Sequence, residues 1–239
     1  MVLSRSVRVV SPIVIASALL ATGCGGGDDG KSAQTRAAQQ GGPPGGYTAA
    51  QLREALPVEL VGYRRVGEPE AGEYGALRGI QNFNQLRNEI TYDKPRCREM
   101  TGAATASDAS LRAVPAAVVQ FAKGPGQSAS ATLMSVPDEV AERYVRVRAP
   151  EDCKRFRTRV GPRWSDHQVV EAGAGNVGMA SRILGVSTTS GDTAVNTWYA
   201  VMRGRGYLAT VAVYGPKVTR AEAEQLARQT YDHAERILP

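Results

Sequence analysis

Residues 25–46 read GGGDDGKSAQTRAAQQGGPPGG, and this tract decides where the chain can fold. It carries almost no large apolar side chain, so it cannot bury enough surface to offset the entropy lost on ordering it. A flexible tether is the expected state. Any core must then be assembled by residues 47–239, a length sufficient for one sizeable domain.

The segment before the tract is of another kind. Arg5 and Arg8 precede an apolar run from Val9 to Leu20, and no acidic residue interrupts it, which is the layout of a secretory signal. The run falls short of the ~20 apolar residues a bilayer-spanning helix needs. Ala21-Thr22-Gly23-Cys24 follows and looks like the lipobox of bacterial lipoproteins, in which the cysteine thiol is alkylated with diacylglycerol and the chain is cut just before it; Ala21 stands where Leu is commoner. One acyl chain holds a protein to a membrane marginally, and two or three hold it stably. The expected organisation is a signal peptide over 1–23, a lipidated Cys24 leading a tether to 46, and one extracytoplasmic domain over 47–239, anchored to the cell membrane by its lipid.

Cys97 and Cys153 remain after Cys24 is assigned. An even remainder in an oxidising compartment points to a disulfide between them. Zinc would want more ligands at close spacing than this pair and His167 provide. A nucleophilic thiol served by His167 or His233 is chemically open, but no motif surrounds either cysteine.

The chain carries 29 basic and 23 acidic residues, a net +6 that falls to +4 once Arg5 and Arg8 leave with the signal. Nucleic acid is not an expected partner for an exported protein with so mild an excess. The excess is local: Arg143, Arg146, Arg148, Lys154, Arg155, Arg157, Arg159 and Arg163 face only Glu151 and Asp152 in the same stretch. Such a segment is either a solvated face or a surface for anionic headgroups or an acidic envelope polymer, each cation near an anionic membrane contributing about 1 kcal/mol.

Patterning predicts both helices and strands. Thr48 caps AAQLREAL, with Leu52 and Leu56 at i, i+4. Short helical pieces are expected across 95–113, broken near Gly102. AAVVQFA and SASATLMS flank KGPGQ as a hairpin. Pro137 opens PDEVAERYV, with Val140, Tyr144 and Val147 as its apolar stripe. HQVVEA, MASRILGVS, NTWYAVMR and YLATVAVY read as strands, the last two joined by a tight turn at 203–206. Thr219 caps a long C-terminal helix with Glu222 completing a capping box and Ala223, Leu226, Ala227, Thr230, Ala234, Ile237 and Leu238 along one side. The fold expected is α+β: a mostly antiparallel sheet with helices packed on one face, the other face open to water or a partner.

Gly173-Ala174-Gly175-Asn176-Val177-Gly178 fits G-x-G-x-x-G after a strand, but a dinucleotide site needs a helix to begin inside the motif. MASRILGVS is strand-like instead, and Asp192 falls in a turn, so the glycines read as a hairpin loop. No nucleophile elbow, H-E-x-x-H, P-loop or S-x-x-K occurs in 47–239. No cofactor, metal or catalytic residue is therefore assigned. Trp198, Tyr199, Tyr207 and Tyr214 lie on the paired strands as core or cross-strand partners; the first three are the expected lining of any ligand cleft.

Taken in order, the lipobox, the tether, a first cysteine before the early strand pair, a second after a Val/Ala-rich helix, the late NTWYAVMR and GYLATVAVY hairpin and a final amphipathic helix resemble the extracellular sensor-domain proteins of actinobacteria. That family includes the outer domain of a mycobacterial receptor serine/threonine kinase and freestanding lipoproteins. Members typically carry two disulfides, and this chain has cysteines for one. The resemblance implies a helix-flanked antiparallel sheet with a cleft for a ligand of unknown identity and no enzymatic activity. The function expected is thus a cell-envelope lipoprotein with a non-catalytic ligand-binding or sensor-like domain, bound to the membrane through its lipid. The alternatives are a carrier of lipid or other apolar molecules, which needs a cavity walled by Val, Leu and Met, and a hydrolase built on an unrecognised Ser, Asp and His set.

Overall fold

A computed structural model describes residues 46–101, 105 and 108–239. The expected export signal, Cys24 and the expected tether, up to residue 45, lie outside the described residues, as does the break expected at Gly102.

Nine strands form one antiparallel sheet. They are β1 (Arg64–Glu73), β2 (Thr91–Tyr92), β3 (Pro115–Ala122), β4 (Ser128–Ser135), β5 (Arg155–Val160), β6 (Arg163–Gly175), β7 (Ala180–Ser190), β8 (Thr193–Arg203) and β9 (Tyr207–Gly215). Across the sheet the order is β1-β3-β4-β9-β8-β7-β6-β5-β2. The α-helices that lie wholly within the described residues are α1 (Ala49–Glu54), α2 (Arg78–Asn88), α3 (Asp138–Arg146) and α4 (Arg220–Ile237), with 3₁₀ turns at Tyr74–Ala76, Pro95–Thr101, Ala109–Leu111 and Glu151–Cys153. The α+β class, the mostly antiparallel sheet and the long C-terminal helix are as the sequence predicts.

Local chemistry explains the boundaries. Thr48 and Gln51 form a reciprocal capping box at the start of α1. At α4 the Thr219 hydroxyl accepts from the Glu222 amide, but the Glu222 carboxylate is used elsewhere, by Tyr63 Oη at 3.2 Å and Lys123 Nζ at 2.7 Å. The 173–178 glycine motif closes β6 after a register shift and enters the hairpin connection to β7, with Gly173 and Gly178 at positive φ and no helix following. Gly191 and Asp192 make the two-residue turn between β7 and β8.

The two faces of the sheet are covered unequally. On one face α1 and α4 bury Leu52, Leu226 and Ala227 against Val119, Phe121, Leu133, Ile183, Met202 and Val211. This is the helix-covered face that the sequence predicts, although Ile237 at the end of α4 is 46 % exposed and so lies off the predicted stripe. The opposite face is not bare. The 3₁₀ turns, α2 and α3 place Tyr74, Leu77, Leu111, Ala141 and Tyr144 on Val118, Met134 and Leu208. On α3 the buried stripe is Ala141, Tyr144 and Val145, rotated from the predicted Val140 and Val147.

Further along that second face, Cys97, Met100, Cys153 and Phe156 pack on Val169, Leu184 and Val186. Strands β3, β4 and β9 are therefore buried on both sides, and β5 and β6 on one side only. The sheet edges are guarded. Pro69 sits in a register shift of β1, and beyond the two residues of β2 the Asp93 carboxylate and Lys94 ammonium cap the backbone of β5 at Arg157 N and Arg155 O, and Lys94 also caps the preceding turn at Asp152 O.

Candidate functional site

The single-sided end of the sheet carries the candidate site. In β5 the sequence Arg155-Phe156-Arg157-Thr158-Arg159 alternates strictly, so the pleat sends Phe156 and Thr158 into the disulfide-bearing layer and three arginines to the uncovered face. Antiparallel register places Arg157 opposite Asp166 and Arg159 opposite Trp164 on β6, then Asp166 opposite Thr189 and Gln168 opposite Ser187 on β7. Ser187 faces Asn196 on β8, to which its hydroxyl donates at 2.8 Å.

Arg157 Nε lies 3.2 Å from Asp166 Oδ1. The guanidinium carbons of Arg157 and Arg159 lie 4.7 and 5.5 Å from the centre of the Trp164 ring, within cation–π range. Arg155, Arg159 and Arg163 have no carboxylate partner among the described residues. A hollow of about 410 Å³ opens over this surface; its polar lining is Asp93, Arg155, Arg157, Asp166, Gln168, Ser187 and Thr189, and Phe156 and His167 also border it. The chemistry on offer is a row of cations flanked by amide, hydroxyl and carboxylate groups, suited to binding and without an activated nucleophile.

What lies behind the row fixes it. Cys97 and Cys153 form the expected disulfide, with their Cα atoms 5.3 Å apart. Their sulfurs are bonded to each other, so Asp152 beside them gains no thiolate companions for a metal. Phe156 stacks on the His167 imidazole with ring centres 4.7 Å apart. His167 is locked through both nitrogens, Nε2 to the Thr158 hydroxyl at 2.7 Å and Nδ1 to the Thr188 hydroxyl at 2.9 Å. Burial lowers its pKa, against the weaker opposing pull of Asp166 and Asp93. A ring held neutral with both nitrogens committed is a structural part of β6, not a free base.

The three predicted cleft aromatics do not converge. Trp198 and Tyr199 are neighbours on β8 and point to opposite faces. Trp198 lies over Gly185, where a β-carbon would come within 2.8 Å of the indole, and borders the uncovered face. Tyr199 joins the disulfide layer, and burial pushes its hydroxyl up to about 12. Tyr207 is fully buried between Tyr47 and Tyr231 and donates to Glu235 at 2.7 Å; burial first, then that carboxylate, raises its pKa. His233 lies on α4 beside Arg236, at a second, larger hollow of about 1100 Å³ between α4, residues 57–64 and the β3–β4 turn.

Asp93, Gln168, Ser187 and Thr189 belong to no motif in the sequence, and β5 lies inside the charge run. The signal that would have found it is the period-two alternation of Arg with Phe and Thr, which marks a half-buried strand whatever the polarity of its outer residues.

No family profile matches the chain, and no curated protein matches it significantly. Solved structures do. The crystal structure of the extracellular domain of PknH from Mycobacterium tuberculosis superposes with a TM-score of 0.53 at 11 % identity, covering 80 % of this chain and 98 % of that one. The X-ray structure of an uncharacterized Rv0999 ortholog from Mycobacterium smegmatis aligns over the same shares at 13 % identity, with a TM-score of 0.42. At 11 % identity the first of these shows the fold alone: this chain has the fold of the PknH extracellular domain.

Proposed function

We propose that the chain is a cell-envelope lipoprotein, anchored at the extracytoplasmic face of the membrane through lipidated Cys24, whose domain is a non-catalytic, sensor-like ligand-binding module. The observation that carries the binding reading is the single-sided end of the sheet, where a face braced from behind by the Cys97–Cys153 bridge is left without a helix. Two further facts support the rest. The fold is that of a domain described as extracellular, and the disulfide belongs to an oxidising compartment; no helix among the described residues is long and apolar enough to cross a membrane.

The carrier reading finds less support, because the Val, Leu and Met side chains that would wall a cavity, Leu133, Met134, Met202 and Val211 among them, are packed at 0 % exposure within filled clusters. The hydrolase reading finds less support: both His167 nitrogens are engaged, and His233 Nδ1 lies beside the Arg236 guanidinium and not beside a carboxylate or a serine hydroxyl.

The anchor is tested by expressing the full chain in a bacterium with lipoprotein processing and feeding labelled palmitate. The label should enter the wild type and be lost in Cys24→Ser, and protease added to intact cells should digest the domain. Absence of label from the wild type, or a domain protected from protease, would refute the envelope reading. Ligand binding is tested by adding fractions of envelope material and following the urea midpoint, which a ligand selective for the folded state raises.

A further inference from the structure

We propose that the uncovered face of the β5–β6 hairpin docks an acidic polysaccharide, a linear glycan with carboxylate or phosphate groups along its length; this rests on the extracytoplasmic reading above and names its ligand class. Arg155, Arg157 and Arg159 stand on alternate residues of one strand, about 6.6 to 6.8 Å apart at ~3.3–3.4 Å per residue. They form a line, not a cluster converging on one point, so the matching anion is extended. Guanidinium groups give planar, charge-assisted pairs with carboxylate and phosphate oxygens, and two of the three lack any carboxylate partner among the described residues.

The neighbours of the row select a glycan over other polyanions. Gln168, Ser187 and Thr189 occupy the same face of β6 and β7 and offer hydrogen-bond donors and acceptors to sugar hydroxyls. Asp93 and Asp166 also line the hollow. Asp166 is paired with Arg157 and Asp93 accepts from the Arg157 amide, and their remaining lone pairs can accept hydrogen bonds from sugar hydroxyls.

The position of the row points the same way. Tyr47, where the described domain begins, donates its amide to Ser135, which pairs with Tyr207 at the start of β9. Asn196, beside Ser187, pairs with Gly215 at the other end of β9. The row is therefore displayed at the end of the sheet away from the entry of the tether. An anchored domain would present it outward, toward envelope polymer and not toward the membrane that holds it.

The test uses the full chain carrying Cys24→Ser, so that no acyl chain contributes. Titration with a decamer of galacturonic acid near physiological salt should give saturable binding that weakens as salt rises. Arg155→Gln/Arg157→Gln/Arg159→Gln should weaken it at least tenfold with the urea midpoint unchanged. Gln168→Ala/Ser187→Ala should weaken it at least threefold although no charge is altered. A neutral dextran oligomer of similar length should not bind.

No binding of the decamer, or equal binding by the triple variant, overturns the proposal. So does complete competition by millimolar inorganic phosphate, which would mark a simple anion site, or binding only to phosphatidylglycerol vesicles, which would mark a membrane-docking face. If palmitate incorporation and protease access hold while the decamer fails, the site assignment falls alone. If the decamer binds while those fail, it is the envelope placement that falls.

Discussion

Replacing both Cys97 and Cys153 with alanine isolates the contribution of the disulfide to the architecture behind the arginine row. The bridge closes a loop of 56 residues in sequence, and the chain-entropy treatment of the unfolded state then gives about 4 kcal/mol of stabilisation. The loss should exceed that slightly, because both cysteines are 0 % exposed and removing their sulfurs opens space in a closed cluster. In urea, with a slope of about 2–3 kcal/mol/M for a domain of this size, the midpoint should fall by about 1.5–2 M. The wild type in excess thiol reductant should lose about the same amount with no change of side chain, which separates the cross-link from the packing of the alanines. Amide exchange should rise first in β2, β5 and the Pro95–Thr101 turn, the elements that the bridge ties to the sheet. A midpoint shift below about 0.5 M in both experiments would refute the reasoning, since the bridge would then close no loop that the unfolded chain can open.

Gly185→Ala puts a β-carbon 2.8 Å from the Trp198 indole, which must tilt away; a loss of about 1–3 kcal/mol and altered tryptophan emission are expected, and unchanged emission and stability would refute the close approach. His167 has its pKa lowered by burial, so the unfolded chain binds the proton more readily than the folded one. The resulting stability is complete above the unfolded value of about 6.5 and drains away as pH falls from there toward the lower folded value; His167→Gln should flatten urea midpoints between about pH 7 and pH 5, and an unaltered slope would count against the lock. Glu222→Gln weakens a carboxylate shared by Tyr63 and Lys123, which tie residues 57–63 and the β3–β4 turn to α4. Because Lys123 is 43 % exposed the ionic share is small, and a loss of about 0.5–1.5 kcal/mol in denaturant titration is expected.

The parts of the fold legible in the sequence are those whose side chains are apolar or whose caps are local. β3, β4 and β9 are buried on both faces and read as near-continuous runs, AAVVQFA, ATLMS and YLATVAV, so they stand out without reference to partners. Thr48 and Thr219 mark their helices because an N-cap is chemistry within four residues. β1 was not foreseen, since its Gly67, Pro69 and three glutamates belong to an edge strand whose pairing is supplied by β3 and whose outward face is water. β5 was missed for a related reason: five of its neighbours in sequence are cations, and average polarity hid the alternation beneath them. The disulfide partners were a matter of counting, but the aromatic cleft was not, because Trp198 and Tyr199 are adjacent on a strand and a pleat forces adjacent residues apart.

The same sidedness explains why an open face exists at all. α4 has 18 residues, so it extends only about 27 Å at 1.5 Å per residue, and it lies over β7, β8 and β9, while α1 lies over β1, β3 and β4. Between them they finish the cover of that face before β6 and β5 are reached. A sheet end left without a helix must draw its apolar burial from its other side, and here that side is a thin layer of 3₁₀ turns with few large side chains. Such a layer is weak on its own, and a covalent tie between Cys97 and Cys153 is the economical way to hold it, because the cross-link acts on the unfolded chain and needs no further core. The bridge and the exposed arginines are thus two consequences of one arrangement: where the helices stop, the inner residues of β5 need a staple and the outer ones are left to water or to a ligand.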